Sequence, residues 1–582
     1  MTSSGEREGV YEFGSFRLDE AEGILLRRGV AVPLLPKSFD ALLVLVKNGN
    51  RVLTKDFLLN HIWPDAAVEE NSLAKAISDI RRALEDDARN PQYIVTVPRR
   101  GYRFVSSVKA VDREPEAATH TVAVLPFTNL TPQGEHDYVG VGLADAVIAR
   151  LARLAQVTVR PTTAVLKYVG NDKDVLAAGR ELEVASVIDG TVRRADDRIR
   201  VTVQLIGTRT GSTLWADRFD EHSTDIFSVE DSIAARVAAH LALQITSDDA
   251  QSLARHDTEN REAHELYLKG RFFWSKRTVE GSEAAIACFE QAIACDPKYA
   301  QAYAGLADAY IILGLQGVVM GGRPPTSSFP HARAAVDRAL SIDDTLAEAH
   351  AALGFIRFFY DFDWSGAEIS FNRALTLNRR YAVAHHLYGL SLMATGRMDE
   401  ALVEMEHARR LEPVSLIINA NVGWVFYHAR RFDEALAQLQ KTLEMDRQFV
   451  ATHHRLGLVF EATGRYAEAI AAFDSARRLS NGGPMAAAAI GYVHAVSGNR
   501  EAAGRVLDEL LTSSAEHYLA APYVAEIYAG LGDNDRAIVC LEKGLDERSS
   551  ALVRLRVNPR FDRLRADPRF TRLMERVGLV AD

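Results

Sequence analysis

Two groups of side chains in the first hundred or so residues have the types and spacing to bind an anionic polymer. Arg99, Arg100 and Arg103 fall within five residues around Gly101 in YIVTVPRRGYRFV, an alternating stretch that predicts a hairpin. The glycine permits a tight turn there, and the arginines offer paired donors to phosphate or to a minor groove. Upstream, EENSLAKAISDIRRAL sets Leu73, Ile77, Ile80 and Leu84 at i, i+4, i+7 and i+11, which predicts a helix with one buried stripe. Its opposite face then carries Asn71, Lys75, Ser78, Asp79 and Arg82. Amides, hydroxyls and cations on a free helix face suit the reading of base edges in a major groove. Lys75, Ser78 and Arg82 are the foremost groove candidates, with Asp79 placed to orient a neighbouring arginine.

Other chemistry-bearing patterns lead nowhere comparable. Gly140 and Gly142 in YVGVGLAD lack the third glycine and downstream acid of a phosphate-cradling loop, so a strand-to-helix turn is expected. The pairs His385-His386 and His453-His454 sit side by side on helices and point about 100° apart, poor geometry for sharing a metal. Core or groove positions are expected for them, and no metal or cofactor. No Ser–His–Asp spacing, Walker loop or HExxH is present in the sequence, so an enzyme is not expected. Cys288, Cys295 and Cys540 form neither a ligand cluster nor a disulfide framework and read as small buried hydrophobes in a reducing compartment.

The elements that must position the first two groups come from local pattern. PKSFDALLVLVK, Pro36 to Lys47, is an amphipathic helix closed by Gly49; Thr54 caps a short helix, KDFLLNHIW, that Pro64 ends. Charge totals are no help: residues 1–110 hold 16 Lys or Arg against 15 Asp or Glu, and the whole chain of 582 residues carries −10. Any nucleic-acid binding is therefore confined to one module. The start, MTSSGEREGVYEFG, lacks the basic and apolar stretches of a secretory signal, and a cytoplasmic location is expected. The most apolar stretch, Ala302 to Gly322, is broken by Asp308 and Gln316 and reads as a buried helix pair, so no membrane partner is expected.

Further along, residues 106–120 are polar and aperiodic and read as a linker. Residues 121–245 alternate strands and helices, with a strand pair around the charged turn Arg194–Arg198, and predict a small α/β domain. From 262 to 548 two ladders run in phase at a 34-residue period. Ala367, Ala401, Ala435, Ala469, Ala503 and Ala537 form one; Gly389, Gly423, Gly457 and Gly491, continued by Ala525, form the other. Phe371, Met405, Leu439, Phe473, Leu507 and Leu541, four residues after each alanine, fill the seam between paired helices. GVVMGGRPPTSSFP, Gly317 to Pro330, is expected to be a long inter-helix loop. The out-of-phase tail, 549–582, is expected to cap the array with polar helices. Tyr388, Tyr427 and His453, on first helices, are candidate partner-binding residues.

Residues 10–105 resemble the OmpR/PhoB-type winged-helix family. The likeness rests on LLPKSFDALLVL, His61-Ile62-Trp63, Ser72–Leu84 and Val97-Pro98-Arg99-Arg100-Gly101-Tyr102-Arg103-Phe104. It implies an N-terminal antiparallel sheet, a recognition helix at Glu70–Leu84 that brings Ser72 into the DNA-facing set, and a wing at Tyr93–Phe104. No receiver domain of the kind found in well-known family members is expected before residue 10. Residues 121–245 resemble TolB-like domains, through VAVLPFTNLTPQGEHDYVGVGLADAVIARLARL and the closing helix DIFSVEDSIAARVAAHLA; residues 262–548 resemble tetratricopeptide repeats. The expected fold class is a mostly α multidomain chain, with a winged helix-turn-helix, a small α/β domain and an α-solenoid, as in a soluble relative of CadC-type regulators. The function this implies is a transcription regulator. Its expected partners are double-stranded promoter DNA, a protein, peptide or effector at the repeats, RNA polymerase and a second copy of the chain. The alternative is a repeat scaffold whose winged helix makes protein contacts.

Overall fold

The computed structural model describes residues 10–20, 24–27, 30–32, 34, 36–62, 70–98, 100–111, 120–130, 138–154, 156–170, 173–195, 198–222, 226–241, 257–320, 324–514 and 518–579. They form two compact units, divided between Ala118 and Thr119.

The N-terminal unit opens with strands β1 (Val10–Phe13), β2 (Phe16–Asp19), β3 (Ile24–Arg27) and β4 (Val30–Val32), which form an antiparallel meander. Helices α1 (Pro36–Lys47) and α2 (Lys55–Ile62) follow, the second begun where the Thr54 hydroxyl accepts the Phe57 N–H at 3.2 Å. Trp63 and Pro64, expected to end α2, lie outside the described residues. Helix α3 (Glu70–Leu84) buries Leu73, Ile77, Ile80 and Leu84 in a core with Phe13, Phe39, Leu45 and Phe104. A small sheet in the order β5 (Val52–Thr54), β7 (Gly101–Phe104), β6 (Ile94–Val97) forms the wing. The stretch expected to be a linker contributes one more strand, β8 (Lys109–Val111), paired antiparallel with β1. The backbone ladder to Val10, Tyr11 and Glu12 draws it into the first sheet, which a lack of side-chain periodicity could not foretell.

The second unit starts with a mixed sheet in the order β11 (Val157–Val159), β9 (His120–Val124), β12 (Ser186–Ala195), β13 (Arg198–Gly207), β14 (Thr213–His222). The short β10 (Thr128–Asn129) runs parallel to β12. β12 and β13 pair from Ser186↔Gly207 to Ala195↔Arg198, the strand pair expected around the charged turn. Helices α4 (Tyr138–Leu151) and α5 (Ile226–His240) contribute Leu143, Val147, Ile233 and Val237 to the same core as the sheet. Gly140 and Gly142 lie inside α4 rather than in a turn. A Cβ on Gly140 would come 2.0 Å from the Phe127 carbonyl oxygen, and one on Gly142 2.9 Å from Leu268, so both are packing glycines.

Eight helix pairs follow among the described residues, from Arg261–Ser275 with Val279–Cys295 to Ala521–Leu531 with Asn534–Asp546. The alanine ladder is fully buried, and a Cβ on Gly423 or Gly457 would fall within 2.6 Å of Leu439 or Phe473 on the partner helix. Small residue against bulky residue is thus the contact that repeats. Gly491 departs from the pattern, since it faces Val506 and Ile527 instead. The apolar stretch expected to be a helix pair is one helix, Ala300–Met320, and it runs four residues into the expected loop at Gly317. No described helix is long and apolar enough to cross a membrane. Cys288 is buried and Cys295 and Cys540 are half-buried, all free.

The sheet domain and the repeats form one body through buried polar contacts. Glu230 accepts from His264 Nε2 at 2.9 Å and lies 3.1 Å from Arg150. Asp145 accepts twice from Arg271, and Arg160 donates to the Leu411 carbonyl at 2.6 Å.

The tail departs most from expectation. It packs on the last helix pair, where Ala537 and Leu541 share its core, and extends well beyond it. Its turns Ser550–Arg554 and Pro559–Leu564 and helix Pro568–Arg576 run back along the first helices of the repeats. Leu552, Phe561, Phe570, Leu573 and Val577 share a core with Phe358, Phe371, Leu392 and Val425. Trp364 Nε1 donates to the Val577 carbonyl at 2.8 Å. Arg560 is buried between Glu461 and Glu526, with its guanidinium 4.5 Å from the Tyr492 ring centre.

Candidate nucleic-acid interface

Burial of the Leu73–Leu84 stripe turns the rest of α3 outward. Lys75, Ser78 and Arg82 are exposed on consecutive turns and Ser72 is half-buried at the helix start. Asn71 lies in α3, but its side chain, like all of Arg99, is outside the described residues. Asp79 accepts from Arg82 Nη2 at 3.1 Å, and its side chain is 15% exposed against 79% for the arginine. The carboxylate thus holds the exposed guanidinium in place. At the helix end Glu85 takes a left-handed conformation (φ 53°) that stops the helix. The Arg27 guanidinium, donating to both Glu85 oxygens, holds that carboxyl below its usual range.

Two residues that sequence reasoning missed tie α3 to the wing. Arg81 donates Nη2 to the Ile94 carbonyl at 3.0 Å and to the Thr96 hydroxyl at 2.8 Å. The buried Asp86 carboxylate accepts the backbone N–H groups of Gln92, Tyr93 and Ile94 at 2.6, 3.1 and 2.8 Å. A carboxylate holding three N–H groups is a strong anchor. The acid-rich turn LEDDARNP was the available signal for it.

The wing arginines are arranged differently from the expected cluster. Arg100 is exposed in the turn, where its N–H donates to the Val97 carbonyl at 3.0 Å. Arg103 sits mid-strand in β7, opposite Val52 on one side and Val95 on the other, half-buried, with Nε finding no hydrogen-bond partner. Strand register thus separates Arg103 from the turn. Gly101 serves the turn with a φ of 151° and also meets a second requirement, close approach: a Cβ there would lie 1.9 Å from the Leu53 carbonyl oxygen. Only glycine lets β7 lie against β5 at this point.

Residues 29–104 match the family described as transcriptional regulatory protein, C terminal. The N-terminal unit holds an OmpR/PhoB-type DNA-binding domain. Residues 118–236 match the second domain of HilA/YgeH-like transcriptional regulators, so the sheet domain's match is to that family and not to a TolB-like one. Residues 422–484 match the tetratricopeptide repeat. Among relatives, the transcriptional regulator HilA of Salmonella typhi is 24% identical over 428 residues, 72% of this chain and 73% of that one. A Rhizobium meliloti protein whose name marks it as an adenylate cyclase is 30% identical over 189 residues, 32% of each chain. The solved DNA-binding domain of Escherichia coli CadC is similar at 27% identity, covering 18% of this chain and all of that one, with a TM-score of 0.17.

Outside the DNA-binding domain, the residues expected to meet a partner are engaged internally. Tyr388 is buried and donates to Glu368 at 2.6 Å, which also receives Arg397. Burial pushes the Tyr388 and Tyr427 phenols up. Tyr427 is 1% exposed and lies beside a cavity of about 10 Å³ lined also by His428, His454 and Arg560, room for about one water. Neither tyrosine offers free surface: Tyr388 packs against Phe371 and Glu368 of the preceding helix, and Tyr427 is covered by Asn558 and Arg560 of the tail. His453 is half-buried and donates Nε2 to the Arg447 carbonyl at 2.8 Å. His350 and His385 do the same to the Asp344 and Arg379 carbonyls, so this histidine position fastens the turn between repeats. His386 and His454 are buried, as expected for the other member of each histidine pair.

Proposed function

We propose that this chain regulates transcription by reading double-stranded promoter DNA through α3 and the wing. The observation that carries this is the exposed row Lys75, Ser78 and Arg82 on a helix whose opposite stripe is buried and whose far end is locked to the wing by Arg81 and Asp86. Lys75, Ser78 and Arg82, with Asn71 and Ser72 at the helix start, face base edges in the major groove. Asp79 orients Arg82, while Arg99, Arg100 and Arg103 serve the phosphate backbone or the adjacent minor groove. The relative HilA and the matched regulator families support this assignment.

The sheet domain, in which the TolB-like resemblance also falls, acts with the repeats as the part that receives a signal. The repeats take a protein or peptide partner. Because residues 550–579 cover first-helix residues of the array, such a partner meets the outer helices or takes the place of that segment. A second copy on a neighbouring half-site, contact with RNA polymerase and a cytoplasmic location belong to the same proposal.

A mobility-shift titration of the full chain against its selected DNA tests the wing. Arg99→Ala with Arg100→Ala lowers affinity and flattens the salt dependence by about one to two phosphate contacts. Unchanged affinity and an unchanged salt slope would remove the wing from the interface.

A further inference from the structure

One cluster of ligand-type side chains lies far from the DNA-binding residues. His385, on the helix Ala382–Ala394, faces Glu404 and His407, one turn apart on the helix Met398–Leu411. One ligand atom from each of the three lies within 4.8 Å of the other two, and all three residues are half-buried. The His385 and His407 rings stand edge to face, 5.3 Å apart at 88°.

The hydrogen bonds of His385 fix which of its nitrogens is available. Nε2 lies 3.0 Å from the Arg379 carbonyl oxygen, which can only accept, so Nε2 carries the proton. In the neutral ring Nδ1 then presents a lone pair, and it points at Glu404 Oε2 only 2.6 Å away. Two acceptors at that distance need a positive charge between them. A proton would serve for His385 and Glu404 alone, but His407 adds a third ligand atom to the same gap. The Nε2 bond is the turn-fastening one that His350 and His453 also make, and at His385 it additionally holds the ring with Nδ1 facing the cluster, as a backbone carbonyl does for a metal-binding imidazole.

We infer that His385, Glu404 and His407 form a binding site for one divalent transition-metal ion of the zinc class. Two imidazoles and a carboxylate suit zinc, cobalt or nickel, and not calcium or magnesium, which take oxygen ligands. Tetrahedral zinc with bonds of about 2.0–2.1 Å sets its ligand atoms about 3.3 Å apart. Closing from within 4.8 Å needs only side-chain adjustment, and three protein ligands leave a fourth position open. Arg410, one turn beyond His407, lies 3.5 Å from Glu406, which offsets its charge. The ion joins both helices of one repeat, outside the residues that the family matches cover.

The full chain, stripped of metal by a chelator, is titrated with Co²⁺ alone and followed by its visible absorption. The expected result is a four-coordinate spectrum that saturates at one equivalent and is displaced by Zn²⁺. His385→Ala and, separately, His407→Gln are expected to weaken the first equivalent at least tenfold. The wild-type spectrum decides the matter even where a variant fails to fold. Absence of a saturable first equivalent overturns the site. So does a folded His407→Gln protein that binds cobalt as the wild type does.

Discussion

Arg81 reaches from α3 to the wing, its Nη2 donating to the Ile94 carbonyl at 3.0 Å. With Asp86 holding the N–H groups of Gln92, Tyr93 and Ile94, helix and wing behave as one piece. An adjacent pair of arginines thus differs in its contacts: Arg81 is bound to the wing, and Arg82 is exposed and paired with Asp79.

Arg81→Ala is expected to lower the stability of the DNA-binding domain by about 1–2 kcal/mol, the value of its two hydrogen bonds, and to leave the salt slope of DNA binding unaltered. Arg100→Ala is expected to do the reverse, keeping stability and reducing the slope by about one. Denaturant unfolding of the domain beside salt-dependent binding isotherms distinguishes the two.

Arg560→Ala is expected to destabilise the second unit by about 3–5 kcal/mol, because it leaves Glu461 and Glu526 buried without their cation. Burial already pushes the Glu461 carboxyl up despite that arginine. Urea unfolding reports the loss, and limited proteolysis is expected to release the tail beyond Arg548 sooner than in the wild type. Equal midpoints would mean that the tail is not anchored there.

Acid is expected to loosen the repeats through buried histidines. Burial lowers His386 and His428 from 6.5 to about 3, with nearby arginines adding to the effect. Their stabilisation is fully present above pH 6.5 and is lost as pH falls from 6.5 toward 3, since the unfolded chain takes up protons first. At pH 5 each contributes a slope of about 1.4 kcal/mol per pH unit. His428→Gln is expected to reduce the steepness of melting temperature against pH between 6 and 4.5; an unchanged profile would exclude His428 as a source of acid sensitivity.

Legibility of the sequence followed the range of the contacts. The Leu73–Leu84 stripe, the Thr54 cap and the alanine ladder are spaced by turns of a helix or by one repeat, so local periodicity was enough to find them. Arg81 and Ile94 are 13 residues apart and Glu461 and Arg560 are 99 apart, with no spacing rule joining either pair. The same gap explains Tyr388 and Tyr427. Their place on first helices made them candidates, but Tyr388 is taken up by Glu368, 20 residues before it, and Tyr427 lies against Asn558 and Arg560 of the returning tail. His385 was set aside because its neighbour His386 points elsewhere; its ligand partners come from the next helix, at Glu404 and His407. The turn's need for Gly101, whose φ is 151°, was legible locally, but its second reason was not, since the carbonyl of Leu53 that excludes a Cβ is 48 positions away in sequence.

The central claim is that α3 reads DNA sequence. The most direct test is selection of bound DNA from a random pool with the full chain, followed by affinity measurements on the selected site and on unrelated DNA. The wild type is expected to enrich one motif. Lys75→Ala with Arg82→Ala is expected to lower affinity for that motif by about 10–100-fold or more, at about 1–3 kcal/mol per base contact, while affinity for unrelated DNA falls far less. Enrichment of no motif, or a variant that keeps the wild-type ratio of specific to unrelated binding, would contradict it.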